Sequence, residues 1–194
     1  MTRLALLRHG HTEWNRAGRI QGRSDIPLDD QARQDLSELC LPAPWDKATL
    51  WSSPLLRAAE TARLVAGGAP RSDDALIEMD WGEWEGRRGR DLLDIPGSGF
   101  RHIEDWGWDY RPPGGESPAE LRNRLQGWLR TLSGDNVAVC HIGIMRVILA
   151  MAYGWDFAGP APFKIKRNRL FVVELDPMRA WDDPVRLIPR EARA

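Results

Sequence analysis

The stretch Leu4-Ala5-Leu6-Leu7-Arg8-His9-Gly10-His11-Thr12-Glu13-Trp14-Asn15 decides how the rest of the chain is read. Four apolar residues in a row, with no polar interruption, read as a strand of a parallel sheet covered on both faces. The run stops at Arg8-His9-Gly10, where a fixed positive charge, an imidazole and a permissive backbone arrive together. Open α/β sheets place their ligand sites beyond the carboxyl ends of such strands.

A second stretch repeats the design. Asn136-Val137-Ala138-Val139-Cys140 is another apolar strand, and it ends at His141-Ile142-Gly143-Ile144-Met145-Arg146, after which a helix runs through Val147, Ile148 and Met151. A histidine at a strand end with a helix N-terminus behind it offers an anion both a side-chain donor and backbone amides.

Composition narrows the class. With 194 residues and 42% hydrophobic content, the chain is expected to be one soluble domain over 1–194 with a full core, and no tract is long enough for a membrane span. Lys+Arg 27 against Asp+Glu 28 leaves no overall basic field, so nucleic acid is excluded as a partner and any anion site is local. Cys40 and Cys140 form neither a C-x-x-C pair nor a zinc spacing and read as buried thiols. The N-terminus enters a strand without a charged leader and apolar segment, which predicts a cytoplasmic protein. A monomer or homodimer is expected.

Between these landmarks, Thr2–Leu7 is the first strand and Arg8–Pro27 a long, polar, functional loop. Asp29 or Asp30 caps a helix to about Leu41, with Leu36 and Leu39 buried, ended by Pro42 and Pro44. Ala48–Trp51 is a second strand, and Ser53 as N-cap with Pro54 at the first helical position puts Arg57 in the opening turn of a helix at the sheet's carboxyl edge. The alternative for Arg57 is a surface pair with Glu60 or Glu13. After Gly67-Gly68, a short strand at Ala75–Ile77 leads to Glu78, with Asp80, Glu83 and Glu85 close behind. Residues 87–118 read as an irregular helical, lid-like insert in which Trp106 and Trp108 pack and His102 lies on the surface. Ser117 caps a helix Pro118–Leu132 with an apolar stripe of Leu121, Leu125, Trp128 and Leu132. Arg169–Leu175 is a further strand and Val185–Ile188 a short edge strand. The arginine-rich end is expected to fray.

Arg8-His9-Gly10 with Thr12 and Asn15, the loop Asn15 to Leu28, and Ser52-Ser53-Pro54-Leu55-Leu56-Arg57-Ala58-Ala59-Glu60-Thr61-Ala62 together resemble the histidine phosphatase superfamily, branch 1. The landmarks Gly82 and Trp84-Glu85-Gly86 extend that resemblance. Within this phosphoglycerate-mutase-like group the compact chain resembles small bacterial phosphatases such as α-ribazole phosphatases. The resemblance implies a three-layer α/β/α fold with a mostly parallel central sheet. It implies hydrolysis of a small phosphorylated metabolite (α-ribazole phosphate, a sugar phosphate or a phosphoglycerate) without metal or other cofactor. His9 would be the nucleophile, forming a phosphohistidine, and His141 the second catalytic histidine. Arg8 and Arg57 would hold the phosphoryl oxygens, with Asn15, Gln21 and Gly22 supplying neutral donors. Alignment to the Gly82 and Trp84 landmarks selects Glu78 as proton donor, with Asp80 as the fallback. A carboxyl following an apolar strand also suits a raised pKa better than one on a turn.

Three departures stand out: Ile142 where the family usually has Gly, His11 where it more often has Glu or Gln, and Ala32 with Asp35-Leu36 in the helix after the loop. They keep other readings open. His9-Gly10-His11 is an H-x-H pair of the kind that opens a metallohydrolase site, although barrels of that type need about 250 residues and more ligands. A phosphoglycerate mutase shares the phosphohistidine, but His11-Thr12 replaces the Glu-Ser that mutases favour. A non-catalytic phospho-ligand module is suggested only by Ile142 and His11.

Overall fold

A computed structural model describes residues 1–193; Ala194 lies outside the described residues. In chain order the elements are β1 (Arg3–Arg8), α1 (Glu13–Arg16), α2 (Asp30–Ser37), β2 (Leu39–Cys40), β3 (Thr49–Ser52), α3 (Leu56–Ala66), β4 (Arg71–Ser72) and α4 (Gly89–Leu93). There follow α5 (Pro118–Leu129), β5 (Asp135–Cys140), α6 (Ile142–Tyr153), β6 (Arg169–Leu175), β7 (Met178–Ala180), β8 (Val185–Arg186) and β9 (Ile188–Pro189).

Among the described residues the main sheet runs β4-β3-β5-β1-β6-β7, with β8 also on β6. The four strands from β4 to β1 are mutually parallel, and β6, β7 and β8 add an antiparallel side. Side chains alternate across each strand, so the two sheet faces feed two separate cores. Leu4, Leu6, Ala138, Cys140, Phe171 and Val173 face the layer that holds α5 and α6. Ala5, Leu7, Val137, Val139, Leu170 and Val172 face the layer that holds α2 and α3. The uninterrupted apolar reading of β1 follows from this double coverage. The result is the expected α/β/α architecture around a mostly parallel sheet.

Several boundaries differ from expectation, each for a local reason. α2 stops at Ser37, because Leu39–Cys40 leave the helix to pair with Ile188–Pro189. The expected edge strand Val185–Ile188 is thereby split: Val185–Arg186 join β6, and Ile188 joins β2. α3 begins at Leu56, two residues after Pro54. The Ser53 hydroxyl accepts from the Leu55 amide in a tight turn, and Asp25 reaches over from the long loop to accept from the Leu56 amide at 2.7 Å. Ala75–Ile77 is not a strand. The Asp73 carboxylate accepts from the Ala75 amide and starts the 3-10 turn Asp74–Leu76.

α5 ends at Leu129, three residues short of the expected Leu132. The long loop contains α1, closed by a reciprocal cap between Thr12 and Asn15. Residues 87–118 carry only the five-residue α4 as helix. Trp106 is buried there in a ring cluster with Trp81, Trp84 and Tyr110, while Trp108 packs on Phe157 and His102 stays exposed. The arginine-rich end is tied down as far as it is described. Arg190 donates to the Ser37 and Leu64 carbonyls and heads the 3-10 turn Arg190–Arg193. No helix among the described residues is long and apolar enough to cross a membrane.

Ser117 caps α5 as expected, and Glu120 returns a bond to the Ser117 amide at 2.8 Å. Replacing Ser117 by Ala removes the acceptor for the Glu120 amide and is expected to lower stability by about 1 kcal/mol in urea unfolding.

Candidate active site

Parallel pairing sets the geometry. β1 and β5 lie side by side with Arg8 opposite Cys140, and the His9 amide continues the ladder by donating to the Cys140 carbonyl at 3.0 Å. The next residue on each strand is a histidine, so the rings of His9 and His141 meet with centroids 5.1 Å apart and planes tilted by 59°. Both are buried.

Their chemistry differs in one respect. His9 Nδ1 lies 2.7 Å from the Gly10 carbonyl oxygen, which only accepts, so Nδ1 carries the proton and Nε2 keeps the lone pair. Neither ring nitrogen of His141 has a hydrogen-bond partner among the described residues. Burial first, then the charges of Arg57 and Arg8, hold His9 well below the usual histidine range, and the same burial acts on His141. Both imidazoles are therefore neutral at neutral pH.

Guanidinium groups surround the pair. Arg57, fully buried, points inward from the first turn of α3 and not to the surface. Its terminal nitrogens donate to the Ser24 carbonyl at 2.8 Å and the Gly22 carbonyl at 2.6 Å, and Nε has no partner among the described residues. Glu60, the alternative partner, is engaged by Arg33. Arg8 Nε is likewise unpartnered, and burial together with Arg167 and Arg146 pulls the Arg8 guanidinium down to about 9. Arg167 donates to the His9 carbonyl at 3.2 Å and to Asn15 Oδ1 at 2.8 Å, and burial lowers it to about 10.

Glu78 brings a carboxyl into this cluster. It is buried, with Oε1 accepting from the Met79 amide at 2.8 Å and Oε2 from the Gly143 amide at 3.1 Å. Burial raises its pKa, opposed by those two bonds and by Arg57 and Arg8. Asp80 lies elsewhere, accepting from the Gly82 amide and paired with Arg23. Glu85 pins the loop, accepting from the Ser24 amide at 2.5 Å and the Arg23 amide at 3.2 Å.

The neutral donors are arranged differently from expectation. Asn15 Nδ2 donates to Gln21 Oε1, and Gly22 contributes its carbonyl to Arg57. Of these three residues it is Gln21 that keeps a buried side-chain donor, Nε2, without a partner among the described residues. A second amide is also committed, since Gly143 at the start of α6 donates to Glu78. Among the described residues no group of three His, Cys, Asp or Glu side chains gathers to hold a metal ion.

The histidine phosphatase superfamily (branch 1) family model matches residues 4–181. The chain belongs to that superfamily. Its relatives include phosphoserine phosphatase 1 of Hydrogenobacter thermophilus, 29% identical over 81% of this chain and 79% of the relative. A probable phosphoglycerate mutase GpmB of Salmonella paratyphi C is 35% identical over 66% of this chain and 62% of the mutase. Among solved structures, TTHB049 from Thermus thermophilus superposes with a TM-score of 0.75 at 32% identity, covering 96% of this chain and 98% of that one. A phosphoglycerate mutase structure from the same organism gives 0.74, also at 32% identity, over 96% and 98%. Superfamily membership makes the chain an enzyme of the phosphatase and mutase kind.

Within this histidine phosphatase, the Ile142 substitution has a simple structural account. Ile142 is the first residue of α6 and has no positive φ, so the position needs no glycine. The glycine that matters is Gly143, where a Cβ would sit 2.4 Å from Glu78 Oε1. His11 is half-buried at the edge of the site; burial, then Arg167 and Arg16, lowers its pKa.

Sequence reasoning missed Arg146 and Arg167. Arg146 was legible as the residue one turn after Ile142 on α6. Arg167 was not, because it sits on a segment without helix or strand. Over residues 161–168 exposure alternates: Ala161, Phe163, Ile165 and Arg167 are half-buried, and Pro162, Lys164, Lys166 and Asn168 are exposed.

Neutral buried imidazoles leave a signature in stability. Below the ordinary histidine value of 6.5 the unfolded chain binds protons that the folded chain refuses, so stability falls as pH drops through that value. Each such ring adds a slope of about 1.4 kcal/mol per pH unit. Replacing His141 by Asn is expected to flatten the acid limb by that amount. Urea unfolding in phosphate-free buffer from about pH 6 to about pH 4.5 measures it.

Proposed function

We propose that this enzyme hydrolyses phosphomonoesters of small metabolites through a phosphohistidine on His9, with Glu78 as general acid and then general base. The observation that carries the reading is the pair of neutral imidazoles 5.1 Å apart among guanidiniums with unspent donors on Arg8 and Arg57. Such a cluster of positive groups, with one buried carboxyl among them, is complementary to a phosphoryl dianion.

The lone pair on His9 Nε2 attacks phosphorus in line, the N–P bond forms and the P–O bond to the alcohol breaks. Glu78, whose pKa burial raises, gives its proton to the departing alkoxide. Arg8, Arg57 and His141 hold the nonbridging oxygens, and Gln21 Nε2, a buried donor without a partner among the described residues, donates as well. Water then attacks phosphorus, Glu78 takes its proton, the N–P bond breaks and inorganic phosphate leaves. His9 returns to its neutral state. Because guanidiniums supply the charge, the scheme calls for no metal.

A phosphoglycerate mutase is the second reading, favoured by the mutase relative. It uses the same phosphoenzyme with a substrate hydroxyl in place of water. Interconversion of phosphoglycerates that requires added bisphosphoglycerate would select it. An enzyme-free role as a phospho-ligand module predicts tight phosphate binding with no turnover.

Rapid quenching with a radiolabelled phosphomonoester is expected to trap an acid-labile, base-stable phosphoprotein, and His9→Ala to abolish both label and turnover. In Glu78→Gln, turnover is expected to fall by roughly a hundredfold or more for poor leaving groups and far less for nitrophenolate. Equal losses on both would remove Glu78 from the role of acid.

A further inference from the structure

On the antiparallel side of the sheet lies a cavity of about 590 Å³ that none of the residues gathered around His9 lines. Its walls come from the end of α6, the segment before β6, β6 itself and the stretch from β7 to β8. Small-molecule sites typically have volumes of about 300–1,000 Å³. Phe163 and Lys164 also line a smaller cleft with Ile142 and Arg146, so that part of the segment before β6 is a wall common to both.

Strand register concentrates positive charge in the larger cavity. β6 and β8 pair antiparallel with Arg169 directly opposite Arg186. Residues so placed share a sheet face with Cβ atoms about 4.5–5.5 Å apart, and like charges there repel. Arg169 lies two residues from Phe171 on β6, so both point to the face that α6 covers. Lys164 and Lys166 join them from exposed positions of the alternating segment. None of these four cations makes an ion pair or side-chain hydrogen bond among the described residues. Elsewhere on the chain Arg3, Arg16, Arg33 and Arg179 each hold a carboxylate.

Aromatic rings and two carboxylates complete the lining. Tyr153 and Phe163 sit with ring centroids 5.6 Å apart and planes tilted by 32°. The Tyr153 hydroxyl donates to the Trp181 carbonyl at 3.2 Å, and the Trp181 indole donates to Glu174, so the polar ends of both rings are spent and their faces are what they offer. Asp182 and Asp183 follow Trp181, exposed and outside any ion pair among the described residues.

We propose that this cavity is a second ligand site, separate from the catalytic centre, and that it takes a nucleoside polyphosphate. The phosphates lie among Arg169, Arg186, Lys164 and Lys166, whose mutual repulsion an anion relieves. The base stacks against the Tyr153 and Phe163 rings, and the ribose hydroxyls donate to Asp182 or Asp183, as ribose does to a carboxylate in dinucleotide folds. Inorganic phosphate alone would leave the rings and the carboxylates without a role.

Three probes separate the parts: β,γ-methylene-ATP, which resists loss of its terminal phosphate, inorganic tripolyphosphate (no nucleoside) and adenosine (no phosphate). Calorimetry in phosphate-free buffer is run on the wild type and on Arg8→Met, which takes the catalytic centre out of the competition. In both, the nucleotide is expected to bind roughly tenfold or more tighter than either fragment. Arg8→Met is expected to abolish turnover and to leave nucleotide affinity within about threefold of wild type. Arg169→Gln combined with Arg186→Gln is expected to weaken the nucleotide by roughly tenfold or more, while kcat/KM for p-nitrophenyl phosphate stays within about twofold. Arg186→Gln alone, at an exposed position, gives the same direction if the pair disturbs folding.

Nucleotide affinity that survives the arginine substitutions, or that falls only in Arg8→Met, overturns the site. Tripolyphosphate binding Arg8→Met as tightly as the nucleotide does overturns the ligand class. No measurable binding of the nucleotide overturns both. The affinities decide the matter whether or not the chain turns over a phosphomonoester, so failure here and failure of the phosphatase reading are separate results.

Discussion

The alignment of two neighbouring strands is the constraint on which everything else rests. β1 and β5 are parallel, in contact along their whole length, and end level with each other. Parallel strands carry their carboxyl ends to the same edge of a sheet, and a ladder that continues one residue further brings the following side chains face to face. His9 and His141, 132 positions apart in the sequence, owe their meeting to that register. A slip of one residue would turn each apolar side chain of β1 to the opposite core. The two cores therefore hold the register, and the register holds the histidines.

The second organising fact is an excess of positive charge in a dry place. Arg8, Arg57, Arg146 and Arg167 all have pKa values lowered by burial, and in Arg8 the repulsion of its neighbours adds to it. Glu78 is the buried carboxyl that offsets them. A protein built this way is electrostatically strained when empty and relieved when an anion enters. Carbonyl oxygens soften the strain: Ser24, Gly22 and His9 each turn one toward an arginine. The loop carrying Ser24 is fixed in turn by Glu85. Polar loop residues thus act mainly on the cations, which explains why Asn15 and Gly22 spend groups on other side chains.

What could be read in advance follows a physical line. β1, β5 and β6 were legible because double coverage makes them continuously apolar, and α5 because its cap and stripe agree. His9, His141, Arg57 and Glu78 come together where the strand ends and the resemblance put them. Of the short edge strands the stretch Val185–Ile188 was legible, though as one strand where there are two. β2 and β4 have two residues each, too few for periodicity, and they exist through partners distant in the chain. The α3 boundary depends on Asp25, more than thirty residues away, whereas Asp73 was an available signal for the 3-10 turn that replaced a predicted strand. Arg167 lay beyond pattern reasoning, since its role comes from a bond to the carbonyl of His9.

The segment leading into β6 couples His9 to the cleft lined by Ile142, Arg146 and Phe163. Its half-buried positions put Phe163 and Ile165 against the cleft and Arg167 on the His9 carbonyl, while Lys164 and Lys166 are exposed. Because that alternation has a period of two, gaining or losing a single residue reverses its phase, sending lysines inward and Arg167 away from His9. Drift by substitution is open to this stretch, and so are length changes in steps of two. A lineage that diversified here would carry a record of parity.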